Sequence, residues 1–171
     1  MIRVVVEDLA FLAAEAVVRP ATTRLDPTTP AVRRLEVVGG SQFAGHLRLH
    51  KELPVGAAVV TAGGGDLSAE FVIHAVIQSD NEPVTRDGVA RAWRSTLQQA
   101  REWEFSSLTV PPIGIGAGNL SIEDAADIMV PILKQHLGTE AFPADVAIVV
   151  ERSEDRDTFE AALRRSGAAE S

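Results

Sequence analysis

Residues 110–126 read VPPIGIGAGNLSIEDAA, and the order of residue types in that stretch decides the class of the fold. The apolar run SLTVP (107–111) predicts a short strand, and it leads directly into Gly114, Gly116 and Gly118. Ser121 then stands three residues before Asp124, the spacing of a capping box at a helix start. Behind it Ile122, Ala125, Ala126, Met129 and Leu133 recur at helical spacing, and Pro131 is expected to kink that helix. Strand, glycine turn and capped helix in succession is also a physical arrangement for holding phosphate. Glycine permits close backbone approach and positive φ, the freed N–H groups point into the gap, and the helix N-terminus adds partial positive charge. The spacing is neither GxGxxG nor a Walker loop with its lysine, so neither a dinucleotide fingerprint nor a nucleotide hydrolase is supported. On these residues alone a phosphate-holding loop and a merely tight strand-to-helix turn stand as equal alternatives.

Working outward, IRVVV (2–6), EAVV (15–18), AAVVTA (57–62), FVIHAVI (71–77) and DVAIVV (145–150) are short, β-branched runs that predict strands. DLAFLAA (8–14) between the first two is a helical turn or a loop. RPATTRLDPTTP (19–30), with its prolines and threonines, predicts an irregular loop. A helix is expected to begin with Pro30 in its first turn and to end at Gly39-Gly40, with a further helix from Ser41. Val89, Trp93, Leu97 and Ala100 mark an amphipathic helix to Trp103, and Ser153 opens a last helix containing Phe159 and Leu163. Strands alternate with helices from residue 57 onward, which is the pattern of an α/β fold with a mixed or mainly parallel sheet covered on both faces.

The chain has 171 residues, enough for one core, so a single domain over 1–165 with a frayed tail at 166–171 is expected. Apolar residues make up 46% and charged residues 23%, the balance of a soluble globular protein. A formal charge of −8 disfavours general binding to nucleic acid or anionic membrane, so an anionic ligand must be held locally. Cysteine is absent, which excludes disulfides, thiol nucleophiles and thiolate metal sites. The opening residues lack a signal-peptide pattern and no apolar run reaches about 18 residues, so a cytoplasmic protein is expected.

VPPIGIGAGNLSIEDAA resembles the second diphosphate loop of the macro domain family. PVGAAVVTAGGGDLSAEFVIHAV (54–76) resembles the strand pair that precedes that loop, and VVVEDLAFLAAEAVV (4–18) is similar to the family's opening. The three matches come in the right order and cover most of residues 2–150. The resemblance implies a three-layer α/β/α fold with a central mixed sheet and a ligand of the ADP-ribose class. It implies that Asp8 accepts a hydrogen bond from the adenine amino group and that the Leu9 N–H meets the ring. Gly114, Ile115, Gly116, Ala117, Gly118 and Asn119 would wrap the diphosphate and distal ribose through backbone N–H groups. A lone Asp after a strand is also a turn cap, and His74, inside an apolar strand, is read as a hydrogen-bonded core residue.

The chain departs from the family pattern in three places. Where the family places a segment like Asn-Ala-Ala-Asn, this chain has Arg19, Pro20, Ala21 and Thr22, and the Thr22 hydroxyl replaces an amide near the distal ribose. The first glycine-rich loop is replaced by TRLDPTTPAV (23–32), whose prolines remove N–H donors. An adenine-stacking aromatic is missing after the last strand, where Glu151 and Arg152 stand, and Arg152 is the candidate substitute through its planar guanidinium. Three functions follow as alternatives: a binding module for ADP-ribose or a related nucleotide diphosphate; an ADP-ribosyl or O-acetyl-ADP-ribose hydrolase with a non-standard site, for which Thr22, Asp26 and Asn119 are the polar candidates; and a ligand-free interaction domain, in which Arg33 and Arg34 serve a partner or solvent. No catalytic residue, cofactor or metal ligand is assigned, and the oligomeric state is left open.

Overall fold

β-Branched runs that are apolar at every position, without alternation, form strands only if both faces are covered, and that requirement organises the molecule. The computed structural model describes residues 1–48, 52–116 and 119–170. In chain order the elements are β1 (Ile2–Val6), β2 (Ala14–Thr22), α1 (Pro30–Arg48), β3 (Ala58–Ala62), β4 (Ala69–Gln78), α2 (Arg86–Glu102), β5 (Ser107–Val110), α3 (Ile122–Thr139), β6 (Asp145–Val150) and α4 (Ser153–Glu170). They build one mixed sheet in the order β1-β6-β5-β2-β4-β3, parallel throughout except for the antiparallel pairing of β3 with β4.

Side chains alternate across this sheet. Ala16, Val18, Ile73, Ile77, Leu108, Val110, Val146 and Ile148 pack on one face beneath Trp93 and Leu97 of α2, Met129 and Leu133 of α3, and Phe159 of α4. Val17, Val72 and Val149 point to the opposite face, where Val32 and Leu35 of α1 and Leu9 and Ala10 of the β1–β2 connection cover them. The result is the expected three-layer α/β/α arrangement. Among the described residues no helix is long and apolar enough to cross a membrane.

Most elements lie where the sequence places them, with one substantive correction. The segment from Arg19 is not an irregular loop from its first residue: β2 continues through Pro20 to Thr22, pairing in register with β4 from Arg19↔His74 to Ala21↔Val76. Proline is tolerated because pairing with β5 extends only over Ala16 and Val17, so one side of the strand is unladdered at Pro20. The α1 helix breaks at Gly40 (φ 68°), as the Gly39-Gly40 pair predicts, and a second helical stretch follows it. The α3 helix passes through Pro131 as a single element. Between β1 and β2 the chain forms a turn, in which the Phe11 N–H donates to the Asp8 carbonyl at 3.1 Å.

Candidate functional site

Parallel strands bring their C-terminal ends to one edge of the sheet, and in open α/β sheets ligands bind outside that edge. Here β1, β6 and β5 are parallel neighbours, and the loops leaving them enclose a cleft of about 440 Å³. Glu7, Asp8 and Leu9 come from the end of β1, Pro111, Pro112, Ile115 and Gly116 from the end of β5, and Val149, Val150 and Glu151 from the end of β6. The remaining wall is the start of α1, with Thr29, Pro30, Ala31 and Arg34.

The glycine loop is fixed at both shoulders. The buried Trp93 Nε1 donates to the Met129 carbonyl at 3.0 Å, locking α2 to α3, and the Met129 sulfur accepts from the Ile113 N–H at 3.3 Å. Gly114 has φ 97° and is buried; a Cβ there would lie 2.6 Å from Leu120 Cδ1 and 2.9 Å from Val89 Cγ2. Gly116 has φ 91°, and a Cβ there would lie 2.6 Å from Thr29 Cγ2. Both positions therefore need glycine for backbone conformation and for space. Past the turn, Ser121 and Asp124 form the predicted capping box, each side chain accepting from the other's N–H, at 3.1 Å and 3.2 Å. The Ser121 N–H and then the Arg86 guanidinium hold the Asp124 carboxyl below its ordinary pKa.

Opposite the glycine loop, Thr29 caps α1: its hydroxyl accepts from the Val32 N–H at 3.2 Å, and Pro30 occupies the first helical position. The body of α1 is tied to the sheet by a buried polar group. Arg19 of β2 pairs with Glu36 of α1, and Arg19 Nη1 lies 3.4 Å from His74 Nδ1. Arginine can only donate, so Nδ1 is the acceptor, and His74 Nε2–H donates to Thr61 Oγ1 at 2.8 Å. Burial pulls the Arg19 guanidinium below its ordinary pKa, and Glu36 opposes the shift. His74 is thus a hydrogen-bonded core residue, in line with its sequence reading.

The structure brings four of the sequence-assigned residues, Asp8, Leu9, Ile115 and Gly116, to this cleft. Asp8 performs its turn role as well, since Oδ1 accepts from the Ala10 N–H at 3.0 Å. Ala117 and Gly118 lie outside the described residues. Gly114 is turned into the core against Leu120 and Val89. Asn119 Nδ2 donates to the Val84 carbonyl at 2.8 Å, which uses its side chain as a strut. The Thr22 hydroxyl accepts from the N–H groups of Asp26 (3.1 Å) and Arg24 (3.3 Å), closing the turn after β2 away from the residues lining the cleft. Arg152 bonds Asp155 at 3.1 Å and does not line the cleft; Asp155 also raises its pKa. Sequence reasoning missed Thr29 and Arg34 as cleft residues. Thr29 before Pro30 carried a legible cap signal, whereas Arg34 was indistinguishable from a solvated helix arginine.

The family model for the Macro domain matches residues 18–129 of this chain. An uncharacterized protein of Aeropyrum pernix is 36% identical over 122 residues, covering 70% of this chain and 63% of that protein. The chain spans 36% of the length of further curated relatives at 29% identity. Among solved structures, the Oceanobacillus iheyensis macrodomain with ADP superposes at a TM-score of 0.84 and 20% identity, covering 97% of this chain and 91% of that one. The Trypanosoma brucei macrodomain in complex with ADP-ribose gives a TM-score of 0.84 at 18% identity, over 95% of this chain and 68% of that one. At such identities the likeness is one of fold.

Proposed function

This chain belongs to the macro domain family, and from that premise we propose that it is a binding module for ADP-ribose or a related nucleotide diphosphate, held in the cleft at the ends of β1, β5 and β6. The observation that carries the reading is the cleft's construction. An open space of about 440 Å³ is lined together by the positive-φ glycine turn, the first turn of α1, and Asp8 and Leu9. Such a space suits a nucleotide-sized ligand. In this reading Asp8 accepts from the base amino group, the Leu9 N–H meets the ring, and backbone N–H groups of the segment 114–119 hold the diphosphate. The acidic balance, 24 carboxylate against 16 basic residues, disfavours general attraction to nucleic-acid backbones, so the anionic ligand of this reading is held locally.

No observation favours the hydrolase alternative. Of its polar candidates, Thr22 closes a turn, Asn119 braces the Val84 carbonyl, and Asp26 is not among the residues lining the cleft. Against the ligand-free alternative, a cleft of about 440 Å³ stays open beside Thr29, Pro30 and Ala31, although Thr29 also packs directly against Gly116.

Calorimetric titration of the protein with ADP-ribose, with AMP and ADP as comparisons and Gly116→Glu as the blocked variant, tests the reading. ADP-ribose is expected to bind at micromolar concentration, and the glutamate, forced toward Thr29 and carrying negative charge into the cleft, is expected to abolish the heat. Absence of heat from all three nucleotides with the folded wild-type protein would sink the proposal.

A further inference from the structure

Arg152, the expected stacking side chain after β6, turns away from the cleft to Asp155 and Glu154. A different guanidinium occupies the cleft. Arg34, in the first turn and a half of α1, lines it and pairs through Nη2 with Asp8 Oδ2 at 2.7 Å. We infer that Arg34, oriented by Asp8, is the base-contacting residue of this cleft and sets its preference for nucleotides over base-free sugar phosphates; this rests on the reading of the cleft as a nucleotide site.

The argument begins with what surrounds the guanidinium. Leu9, Val149 and Val150 line the same cleft from below, so the floor near Asp8 is apolar though these side chains are mostly buried. A planar cation lining the same cleft supplies what an aromatic ring would: a face to lie against a base, with charge added. Holding a long flexible side chain in one pose costs entropy on binding, and the Asp8 pair meets part of that cost in the unliganded protein. Asp8 keeps the capacity for its own contact. A carboxylate offers about four lone-pair positions; the Ala10 N–H and Arg34 take one position on each oxygen, leaving room for a base amino group. Glu7, Asp8 and Glu151 also bring three carboxylates to a cleft proposed for an anion, and Arg34 is the cation among the lining residues. The pair is half-exposed, so it contributes little to folding, and its removal is read as a binding effect.

The test is calorimetry of wild type, Arg34→Ala, Arg34→Lys and Arg34→Trp against ADP-ribose and ribose 5-phosphate, with thermal unfolding of each variant as the folding check. Arg34→Ala is expected to weaken ADP-ribose binding by roughly tenfold, the scale of losing one stacking partner of a base. Lysine, which keeps the charge without the plane, is expected not to restore affinity, whereas tryptophan is expected to restore most of it. Ribose 5-phosphate is expected to distinguish the variants little. Unchanged ADP-ribose affinity in Arg34→Ala overturns the inference while leaving the cleft reading intact. Full rescue by lysine with none by tryptophan also overturns it, assigning Arg34 to phosphate. A wild-type protein that binds neither ligand overturns the cleft reading, and the inference falls with it.

Discussion

Gly114 and Gly116 both have positive φ, yet their missing Cβ atoms would enter different environments, and substitution should separate folding from binding. An alanine at either position pays the strain of positive φ, about 1–2 kcal/mol. At Gly114 the methyl also meets Leu120 and Val89 on the core side of the turn, and overpacking adds about 1–3 kcal/mol. At Gly116 the methyl meets the adjacent Thr29, another residue lining the cleft, so part of its cost falls on the cleft's geometry. Gly114→Ala is therefore expected to lower thermal stability more than Gly116→Ala, and Gly116→Ala to lose more ADP-ribose affinity per kcal/mol of stability lost. Urea unfolding beside titration of both variants checks this; equal ratios would mean the two glycines serve one purpose. Which glycine faced which way was not legible in the sequence, because the glycine pattern is the same for both readings. Arg19 was illegible for a related reason. The residue types at 19–30 read as loop, and only the neighbouring strand β4 and Glu36 of α1 make an arginine tenable inside a buried strand.

At the scale of elements, the start of α3 was the most legible part of the chain, because a capping box is a local code with fixed spacing. The structure contains both of its hydrogen bonds, and Arg86 of α2 adds an ion pair to Asp124. Ser121→Ala is expected to cost about 1 kcal/mol, the usual worth of a cap. Asp124 carries the pH dependence. Its folded pKa lies below the ordinary value because the Ser121 N–H and Arg86 favour the charged carboxylate. Its contribution is then fully present above the unfolded pKa of roughly 4 and is lost as pH falls through the lower folded value. The difference in thermal unfolding between wild type and Asp124→Asn should accordingly be full at pH 7 and 5 and shrink progressively as pH falls below about 4. A deficit that persists undiminished at pH 3 would show that shape, and not the ionised carboxylate, accounts for the residue. The end of β2 shows the opposite case: local rules place its boundary at Val18 although the strand runs to Thr22, since proline penalises a strand only where a ladder bond is lost, and that depends on where β5 stops.

Across the whole molecule, the sheet order could be anticipated only as a class, because strand adjacency is set by packing between distant segments. The cleft depends on that adjacency: with α1 packed over the sheet, Thr29 meets Gly116 and Arg34 meets Asp8. The net charge of −8, by contrast, is read directly from composition and governs how the molecule receives an anion. If the diphosphate is held by neutral backbone donors, its short-range hydrogen bonds are little affected by salt, while repulsion from the molecule and from Glu7 and Glu151 is long-ranged and is screened. The screening length falls from about 10 Å at 0.1 M salt to about 3 Å at 1 M. Arg34 opposes this trend only as one charge already paired with Asp8. ADP-ribose affinity is therefore expected to stay level or tighten as sodium chloride is raised from low to high concentration, with most of the change in the association rate. A site built from lysines and arginines would weaken over the same range. Titrations and stopped-flow association across the salt series distinguish the two, and a steep loss of affinity with salt would transfer the diphosphate from the backbone of the glycine turn to charged side chains.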